Sequence, residues 1–299
     1  MPLAVIPTPV GNLEDMSPRA VRMLKEADVI ACEDTRTSLP LLRHFGISAR
    51  LVSYHAHNEK GRTEQLLALL GEGKKIALVS DAGTPGISDP GWEIISRCIS
   101  GGVDVTVLPG PTAFVPALVL SGLQPHPFLF HGFLPDKQGE REKVLRDLAP
   151  LRCTLVFYVS PHKAEKHLRH AADILGNRRA ALVREISKVY EEARRGTLAE
   201  LADSVAEGVR GEIVLVVEGA SPPEPEGDRW KEAALAMMSE GLSSREESPS
   251  DIMASAASFH LSPSGSGGEA PSTTRTISPR TPSATESASS ARVPLRASS

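Results

Sequence analysis

Ile76-Ala-Leu-Val-Ser-Asp-Ala-Gly-Thr-Pro-Gly-Ile-Ser-Asp-Pro-Gly91 decides the fold, because it joins an apolar run to a helical pattern through a loop rich in glycine and proline. The run from Ile76 to Val79 predicts a buried parallel strand. The residues after the loop predict a helix, with Asp89 as its N-cap and Pro90 in its first position. Ligands bind at the carboxyl ends of strands in open α/β sheets. The stretch therefore predicts a ligand-binding loop, with an ordinary tight turn as the alternative.

The glycines of this loop do not form a familiar phosphate-binding motif. Gly86 and Gly91 have the spacing of P-loop glycines, but Trp92 and Glu93 stand where that motif needs lysine and serine or threonine. The chain also lacks G-x-G-x-x-G, the fingerprint of the usual dinucleotide site. The loop therefore favours a cofactor held by backbone groups in an apolar cleft.

The composition is that of an ordinary globular chain. Of 299 residues, 40% are apolar and 23% are charged, and the formal net charge is −4. This balance gives no overall electrostatic indication of nucleic-acid binding, although a local basic patch stays possible. The three cysteines stand singly, and we recognise neither a signal peptide nor an apolar run of ~18–20 residues. We expect a cytoplasmic protein with no membrane contact.

Two α/β domains are predicted on either side of residue 114. In residues 1–114, five short apolar runs alternate with helical patterns, and such crossovers force a parallel, doubly wound sheet. The other four predicted strands of this sheet are Leu3–Ile6, Val29–Cys32, Leu51–Tyr54 and Val103–Leu108. Residues 115–220 form a second α/β domain, and a cleft between two domains is a favoured small-molecule site.

The second domain begins after the first sheet and ends before a change in composition. Its predicted strands are Phe128–Phe133, Thr154–Val159, Ala180–Ile186 continuing to Glu192, and Ile213–Glu218. We expect a linker and a short helix in residues 221–246. Residues 247–299 are rich in Ser, Pro, Thr, Ala and Gly, which predicts a disordered tail.

Two polar clusters outside the key loop are weighed as site candidates. Residues Glu33 to Arg36 follow the second strand, where they form either a site edge or a solvated loop. His55 and His57 would share one face of a strand, but no third ligand is placed beside them. We predict no metal site and assign the two histidines to a polar wall or a surface loop.

Several motifs together resemble one family over residues 3–219. The motifs are Thr8-Pro-Val-Gly-Asn-Leu13, Cys32-Glu-Asp-Thr-Arg36, Val79-Ser-Asp-Ala-Gly-Thr-Pro85, Ser88-Asp-Pro-Gly91, Leu108-Pro-Gly-Pro-Thr-Ala113, Arg184-Glu-Ile-Ser-Lys188 and Gly211-Glu212. They are similar to the tetrapyrrole methylase superfamily, and within it to the branch that methylates ribosomal RNA. The similarity ends at about Ser244, after which the tail is either a lineage-specific extension or the product of a frameshift.

The resemblance implies a methyl donor, an acceptor and an assembly. The donor would be S-adenosylmethionine, bound between the two domains, and the acceptor the ribose 2′-oxygen of a cytidine in the decoding region of 16S ribosomal RNA within the small subunit. Such enzymes are typically homodimers. By motif, the cofactor contacts would be Pro9, Asp81, Ala82, Gly83, Thr84, Thr112, Ala113, Tyr158 and Val159.

The catalytic candidates are Glu185, Lys188 and Arg36. Glu185 or Lys188 would assist proton removal, and Arg36 would position a phosphate, because its planar guanidinium binds oxygens in pairs. An ion pair of Arg36 with Glu33 or Asp34 is the alternative. On a regular strand, Glu185 and Lys188 point to opposite faces, so both can enter the cleft only if the strand ends or bulges there.

Two other functions stay open at this point. One is methylation of a precorrin or uroporphyrinogen ring by the same fold. The other is an RNA-binding or assembly protein that keeps the fold without turnover. Cofactor binding separates the last of these from both enzymes, and the acceptor separates the two enzymes from each other.

Overall fold

The computed structural model of the chain describes residues 2–222, which contain two five-stranded sheets. We call the part built on the first sheet the first lobe and the part built on the second sheet the second lobe. None of the helices in this range is long and apolar enough to cross a membrane. The predictions for most of the linker and helix at 221–246, and for the tail at 247–299, lie outside the described residues. The predicted domain limits at 114 and 220 stay predictions.

The first sheet is entirely parallel, with strand order β3-β2-β4-β1-β5. Its strands are β1 (Leu3–Val5), β2 (Val29–Cys32), β3 (Arg50–Ser53), β4 (Ile76–Val79) and β5 (Val105–Val107). β1, β2 and β4 are buried along their whole length, as expected for strands covered on both faces. The predicted doubly wound parallel sheet is confirmed, and the carboxyl ends of its strands meet at one edge.

Helices cover both faces of this sheet. They are α1 (Pro18–Lys25), α2 (Thr35–His44), α3 (Glu59–Gly71) and α4 (Trp92–Ser100). One core packs α1 and α2 against Ala4, Ile30 and Ala77, and the other packs α3 and α4 against Leu3 and Leu78. Successive strand residues point to opposite faces, so each of β1 to β4 supplies both cores.

The second sheet is mixed, with order β6-β7-β10-β8-β9. Its strands are β6 (Phe128–Phe133), β7 (Thr154–Val159), β8 (Arg179–Arg184), β9 (Glu192–Thr197) and β10 (Ile213–Val217). Only the β6–β7 pair is parallel among these strands. β10 is wholly buried between β7 and β8, which makes it the centre of this sheet although it comes last in the described chain.

Four helices flank the second sheet. They are α5 (Phe114–Ser121), α6 (Gln138–Leu148), α7 (Ala164–Leu175) and α8 (Leu198–Ser204). α5 packs its buried Ala117 and Leu118 on one face of the sheet, and α6, α7 and α8 cover the other. α8 begins with a capping box, in which the Thr197 side chain accepts from the backbone N–H of Glu200 and the Glu200 side chain accepts from that of Thr197.

The predicted start of α4 is wrong. The helix begins at Trp92, and its N-cap is Gly91, whose φ of +142° suits glycine. Asp89 lies earlier, on the wall of the cavity described below. The Gly91 N–H donates instead to Glu59 Oε1 of α3, at 3.0 Å. A carboxylate distant in sequence therefore satisfies an amide at the helix start, which a local pattern does not reveal.

The predicted continuation of the third strand of the second lobe is also wrong. β8 ends at Arg184, and the chain turns through residues 185–191 before β9 returns antiparallel to β8. Glu185 and Ser187 have φ values of +52° and +65°, which few residues other than glycine adopt. The Glu185 N–H donates to the Glu212 carbonyl, and Glu185 Oε1 accepts from the Glu212 N–H, which helps to hold this conformation.

Candidate functional site

A cavity of about 590 Å³ lies between the lobes, at the carboxyl edge of the first sheet. From the first lobe it is lined by Val10, Glu33, Asp81, Ala82, Gly83, Thr84, Ile87, Ser88, Asp89, Thr112 and Ala113; from the second by Phe114, Phe133, Tyr158, Val159, Ser160, Pro161, Glu212, Ile213 and Val214. The carboxyl end of β7 and the amino end of β10 both contribute, because the two strands are antiparallel and Ile213 pairs with Val159. The loops after four parallel strands therefore face the tips of a different sheet.

All the predicted cofactor residues except Pro9 line this cavity. The neighbouring Val10 takes the place that was predicted for Pro9. The residues come from positions 81–84, 112–113 and 158–159, so distant segments meet at one place. Whether each residue contacts a cofactor stays a prediction.

The loop after β4 is fixed by hydrogen bonds to neighbouring strand ends. Thr8 and Gly83 exchange two backbone hydrogen bonds, each 2.9 Å long, and Thr8 Oγ1 donates to the Ser80 carbonyl at 3.0 Å. Thr84 Oγ1 donates to the Pro111 carbonyl at 3.2 Å. Gly83 has a φ of +82°, so a larger side chain there would strain the backbone as well as reduce the cavity.

Aromatic side chains form the opposite wall. Phe114 stacks on Phe130 with ring centres 4.4 Å apart, and Tyr158 packs against Phe130 and Phe133. Burial raises the pKa of Tyr158 to about 12, and the nearby Asp89 carboxylate adds to the shift. The Tyr158 hydroxyl is therefore protonated at neutral pH, and it adds one polar atom to this group of aromatic side chains.

Thr112 carries the clearest sign of a missing ligand group. Its Oγ1 is buried and has no hydrogen-bond partner within the described part of the chain. Buried hydroxyls are rarely left unpaired, because desolvation without a hydrogen bond is costly. Since Thr112 lines the cavity, a ligand or a water there would supply the partner. The residues present thus fit a polar, partly apolar ligand.

Three carboxylates face the cavity from the first lobe: Glu33, Asp81 and Asp89. Burial raises the pKa of Glu33, and the charges of Asp89 and Asp81 add to that shift. Burial also raises the pKa of Asp89, against the effect of a hydrogen bond with Ser80. None of the three forms an ion pair within residues 2–222. The wall therefore carries acidic charge that no neighbouring cation neutralises.

Glu185 and Lys188 lie beside the cavity rather than on its wall. Lys188 Nζ donates to Glu185 Oε1 at 2.9 Å and to Glu212 Oε2 at 3.0 Å. The hydrogen bond from Lys188 lowers the pKa of Glu185; burial acts against the charged form of Lys188, but its two carboxylate partners together raise its pKa. Of this group only Glu212 lines the cavity. The strand ends before Glu185, so both side chains point to the same network.

Arg36 is at the amino-terminal end of α2 and extends into solvent. Its guanidinium forms an ion pair with Asp34 at 2.6 Å, and 90% of its side chain is exposed. The hydrogen bond from Arg36 lowers the pKa of Asp34 to about 2. The alternative ion pair considered from the sequence is therefore present, and the exposed guanidinium also has free donors for a phosphate.

The histidine pair is part of a local turn. His55 Nε2 lies 3.1 Å from Asn58 Nδ2, and the two imidazole rings are 6.0 Å apart. Among the residues that the structure describes, no group of three His, Cys, Asp or Glu side chains is placed to hold a metal ion.

Several wall residues were not predicted to line the site, although Val10 and Ser88 stand in motifs quoted above. They are Val10, Ile87, Ser88, Phe114, Phe133, Ser160, Pro161, Ile213 and Val214. Most of them are neighbours of residues that were predicted. Glu212 did carry a signal, because it belongs to the Gly211-Glu212 motif, but that motif does not tell which partner Glu212 binds.

The sequence profile described as Tetrapyrrole (Corrin/Porphyrin) Methylases matches residues 2–202. Proteins named ribosomal RNA small subunit methyltransferase I are similar over most of the chain. The protein from Halalkalibacterium halodurans is 47% identical over 231 residues, covering 77% of this chain and 80% of the relative. Those from Synechocystis and Bacillus subtilis are 43% and 44% identical, covering 80% and 82% of this chain and 88% and 86% of their own.

Two solved structures share the fold. A cobalamin biosynthetic enzyme, cobalt precorrin-4 methyltransferase, superposes with a TM-score of 0.53 at 19% identity, covering 72% of this chain and 94% of its own. Uroporphyrin-III-C-methyltransferase from Thermus thermophilus also gives 0.53, at 22% identity and with 72% and 93% coverage. At such identities the likeness concerns the fold alone.

Proposed function

This chain belongs to the tetrapyrrole methylase family, and from that membership we propose that it is an S-adenosylmethionine-dependent methyltransferase of ribosomal RNA. Its acceptor in this proposal is the ribose 2′-oxygen of a cytidine in the decoding region of 16S ribosomal RNA within the small subunit. The observation that carries the proposal is the cavity, which gathers all the predicted cofactor residues but Pro9. The names of relatives at 42–47% identity support the choice of ribosomal RNA over a tetrapyrrole.

The residues of the cavity suit this cofactor. When bound, S-adenosylmethionine supplies a methyl group activated by a positively charged sulfur. The Asp81–Thr84 loop and the Thr112–Ala113 segment would hold it from one side, and Tyr158 and Val159 from the other. The unpaired Oγ1 of Thr112 would gain a hydrogen bond, and the carboxylates of the wall complement a cation.

The chain's own contribution to methyl transfer is mainly positional. A displacement of this kind needs the attacking oxygen to be held ~3–3.5 Å from the methyl carbon and in line with the leaving sulfur. Arg36 would hold a phosphate of the RNA, as predicted from the sequence. Its guanidinium is exposed to solvent and follows β2 at the carboxyl edge of the first sheet, where the cavity lies. Glu185 and Lys188 would assist by holding Glu212 in the wall.

The proposal includes a cytoplasmic homodimer. Its support is the resemblance of the motifs, and sedimentation of the purified chain would measure its assembly directly.

Small ribosomal subunits from a strain without this methylase test the function. The subunits are incubated with the chain and methyl-labelled S-adenosylmethionine. Their 16S RNA should then gain one label at a cytidine, and the phosphodiester next to that cytidine should resist alkali. Subunits from the normal strain are the control and should gain none. Labelling of a precorrin or uroporphyrinogen but not of RNA would show that the proposed acceptor is wrong. Failure to bind S-adenosylmethionine in calorimetry would contradict any methyltransferase activity.

A further inference from the structure

Glu33 lies where the end of β2 meets the cavity. It follows β2, lines the cavity beside Asp81 and Asp89, and is three residues before the exposed Arg36. We propose that Glu33 is the general base of the methyl transfer, taking the proton of the ribose hydroxyl as that oxygen attacks. This inference rests on the proposed RNA methylation. It assigns proton removal to Glu33 instead of Glu185 or Lys188, the two residues predicted for that role from the sequence.

Glu33 is surrounded by other carboxylates and is paired with no cation, so its carboxylate is available to accept a proton. Along its own element and the loop after β4, it faces the carboxylates of Asp34, Asp81 and Asp89. From the second lobe, Tyr158 and Glu212 line the same cavity. The nearby cations are engaged elsewhere, Lys188 with Glu185 and Glu212, and Arg36 with Asp34. No side chain of residues 2–222 forms an ion pair with Glu33.

Each carboxylate of the wall has a hydrogen-bond partner; that of Glu33 is the backbone of Asp81, which lowers its pKa without outweighing the effect of burial. Asp81 Oδ1 accepts the backbone N–H of Asp34 at 3.1 Å, which joins the tips of β2 and β4. Asp89 is hydrogen-bonded to the buried Ser80. Glu33 has the longest side chain of the three and lies on the same strand tip as the proposed phosphate contact. An RNA strand held by Arg36 would therefore reach Glu33 at the entrance to the methyl-donor site.

The proposed step balances without another reactant. The ribose 2′-oxygen forms a bond to the methyl carbon while the methyl–sulfur bond breaks, and the sulfur keeps that electron pair. The hydroxyl proton passes to the Glu33 carboxylate and is later lost to solvent. The products are the 2′-O-methyl ribose and the neutral thioether of the cofactor.

Burial and three neighbouring carboxylates favour the protonated form of Glu33, and this makes its ionised form a better base than a solvated glutamate. The methylation rate should then rise with pH through the raised pKa of Glu33 and become level above it. The same titration should be visible in the protein without RNA or cofactor.

The test compares Glu33→Gln with Glu33→Asp and with the exposed control Glu207→Gln. At saturating S-adenosylmethionine, the single-turnover rate of Glu33→Gln should fall at least ~10²-fold and lose its dependence on the pKa of Glu33. Glu33→Asp should recover part of the rate and keep a pH-dependent limb. The control should match the unmodified chain, and cofactor affinity, measured by calorimetry, should change far less than the rate.

A second readout does not depend on activity. Carbon-13 NMR of the glutamate carboxyls, assigned by the signal lost in Glu33→Gln, should give a pKa of Glu33 above its ordinary value of ~4.3. A pKa at or below that value, or a normal rate in folded Glu33→Gln, would overturn the inference. Loss of rate in Asp89→Asn or Glu185→Gln with Glu33→Gln unaffected would transfer the role to that residue. If the unmodified chain itself fails to methylate RNA, it is the proposed function that is wrong.

Discussion

Two groups of charged side chains meet at the boundary between the lobes, and they differ in one respect. Glu33, Asp81 and Asp89, the cavity carboxylates, have no cation bonded to them among residues 2–222. Glu185, Lys188 and Glu212, the Lys188 network, form two ion pairs around one ammonium group. Both groups lie next to strand ends and both contain motif residues, but from the sequence we predicted a catalytic role for Glu185 and Lys188 and left Glu33 as either a site edge or part of a solvated loop.

The difference teaches how to separate a structural cluster from a reactive one. An ion pair whose charges are already satisfied has little capacity left for a substrate, and losing one partner costs stability because the other charge is left uncompensated. Carboxylates that are partly buried without a cation cost stability, and they are retained where a ligand or a reaction uses their charge. On this criterion we infer that the Lys188 network is structural and that the cavity carboxylates are the candidates for the proposed chemistry.

The largest effect on stability is expected at Gly211. Its φ is +90°, and a Cβ there would collide with the Glu185 side chain, so Gly211→Ala should disrupt the Lys188 network. We expect a loss of about 2–3 kcal/mol in the free energy of unfolding. Gly208→Ala is the matched control, because Gly208 has a similar φ of +98° but open space around it. Equal losses in urea titrations of the two variants would contradict a role for the network.

The second largest loss of stability is expected when the shared cation, Lys188, is removed. Lys188→Met leaves Glu185 and Glu212 facing each other without it, and the side chain of Glu185 is only 18% exposed. The expected loss is about 1–2 kcal/mol, less than for a fully buried pair because the network is partly solvated. Lys166→Met, at an exposed lysine, should stay within about 0.5 kcal/mol of the parent. Equal melting temperatures for Lys188→Met and Lys166→Met would contradict a structural role for the network.

A smaller effect concerns the cofactor side of the comparison. Thr112→Val keeps the shape of the side chain but removes the unpaired hydroxyl. If that hydroxyl bonds S-adenosylmethionine, its loss should weaken binding about 3–10-fold, equivalent to about 0.7–1.4 kcal/mol. Thr106→Val in β5, away from the cavity, serves as the control and should bind normally. Unchanged affinity in calorimetry would show that the hydroxyl instead binds water.

The pH dependence of stability sharpens the comparison further. The folded state raises the pKa of Glu33, so Glu33 favours folding below its unfolded pKa, and that contribution is lost as the pH rises through the folded pKa. Glu33→Gln should therefore be more stable than the parent at pH 7–8, by less than about 1 kcal/mol because solvent screens the half-exposed carboxyl. The gain should vanish near pH 4. Melts at both pH values measure it, and a destabilised variant at pH 8 would indicate a structural role for Glu33.

The smallest effect on stability is expected for Arg36→Ala. The Arg36–Asp34 pair is solvent-exposed, so the melting temperature should not change measurably. Affinity for the small subunit should fall, and the slope of log affinity against log salt should decrease in magnitude by about one phosphate contact. Arg22→Ala, which breaks another exposed pair, should leave both quantities unchanged. An unaltered salt slope in Arg36→Ala would rule out the phosphate contact.

Apart from β9, the sequence predicted the strands and the ligand loop well, because both depend on short-range patterns. β4 is four apolar residues followed by a loop whose glycines need positive φ values, and Gly83 and Gly86 have them. What escaped prediction depends on contacts distant in the chain. Glu59 satisfies the amide of Gly91, so the expected cap at Asp89 is not used. Glu185 turns because it binds Glu212, a residue in another loop that no periodicity connects to it.

β10 has a consequence for the synthesis of this protein. It is the last strand of the described chain, yet it lies between β7 and β8 and brings Glu212, Ile213 and Val214 to the cavity. Until residues 213–217 have left the ribosome tunnel, β7 and β8 each expose an open edge, the kind of surface that pairs with other chains. The emerging polypeptide thus completes its second sheet and the cavity between the lobes in one late event. A chain cut short before residue 213 would lose both together and would be prone to aggregate.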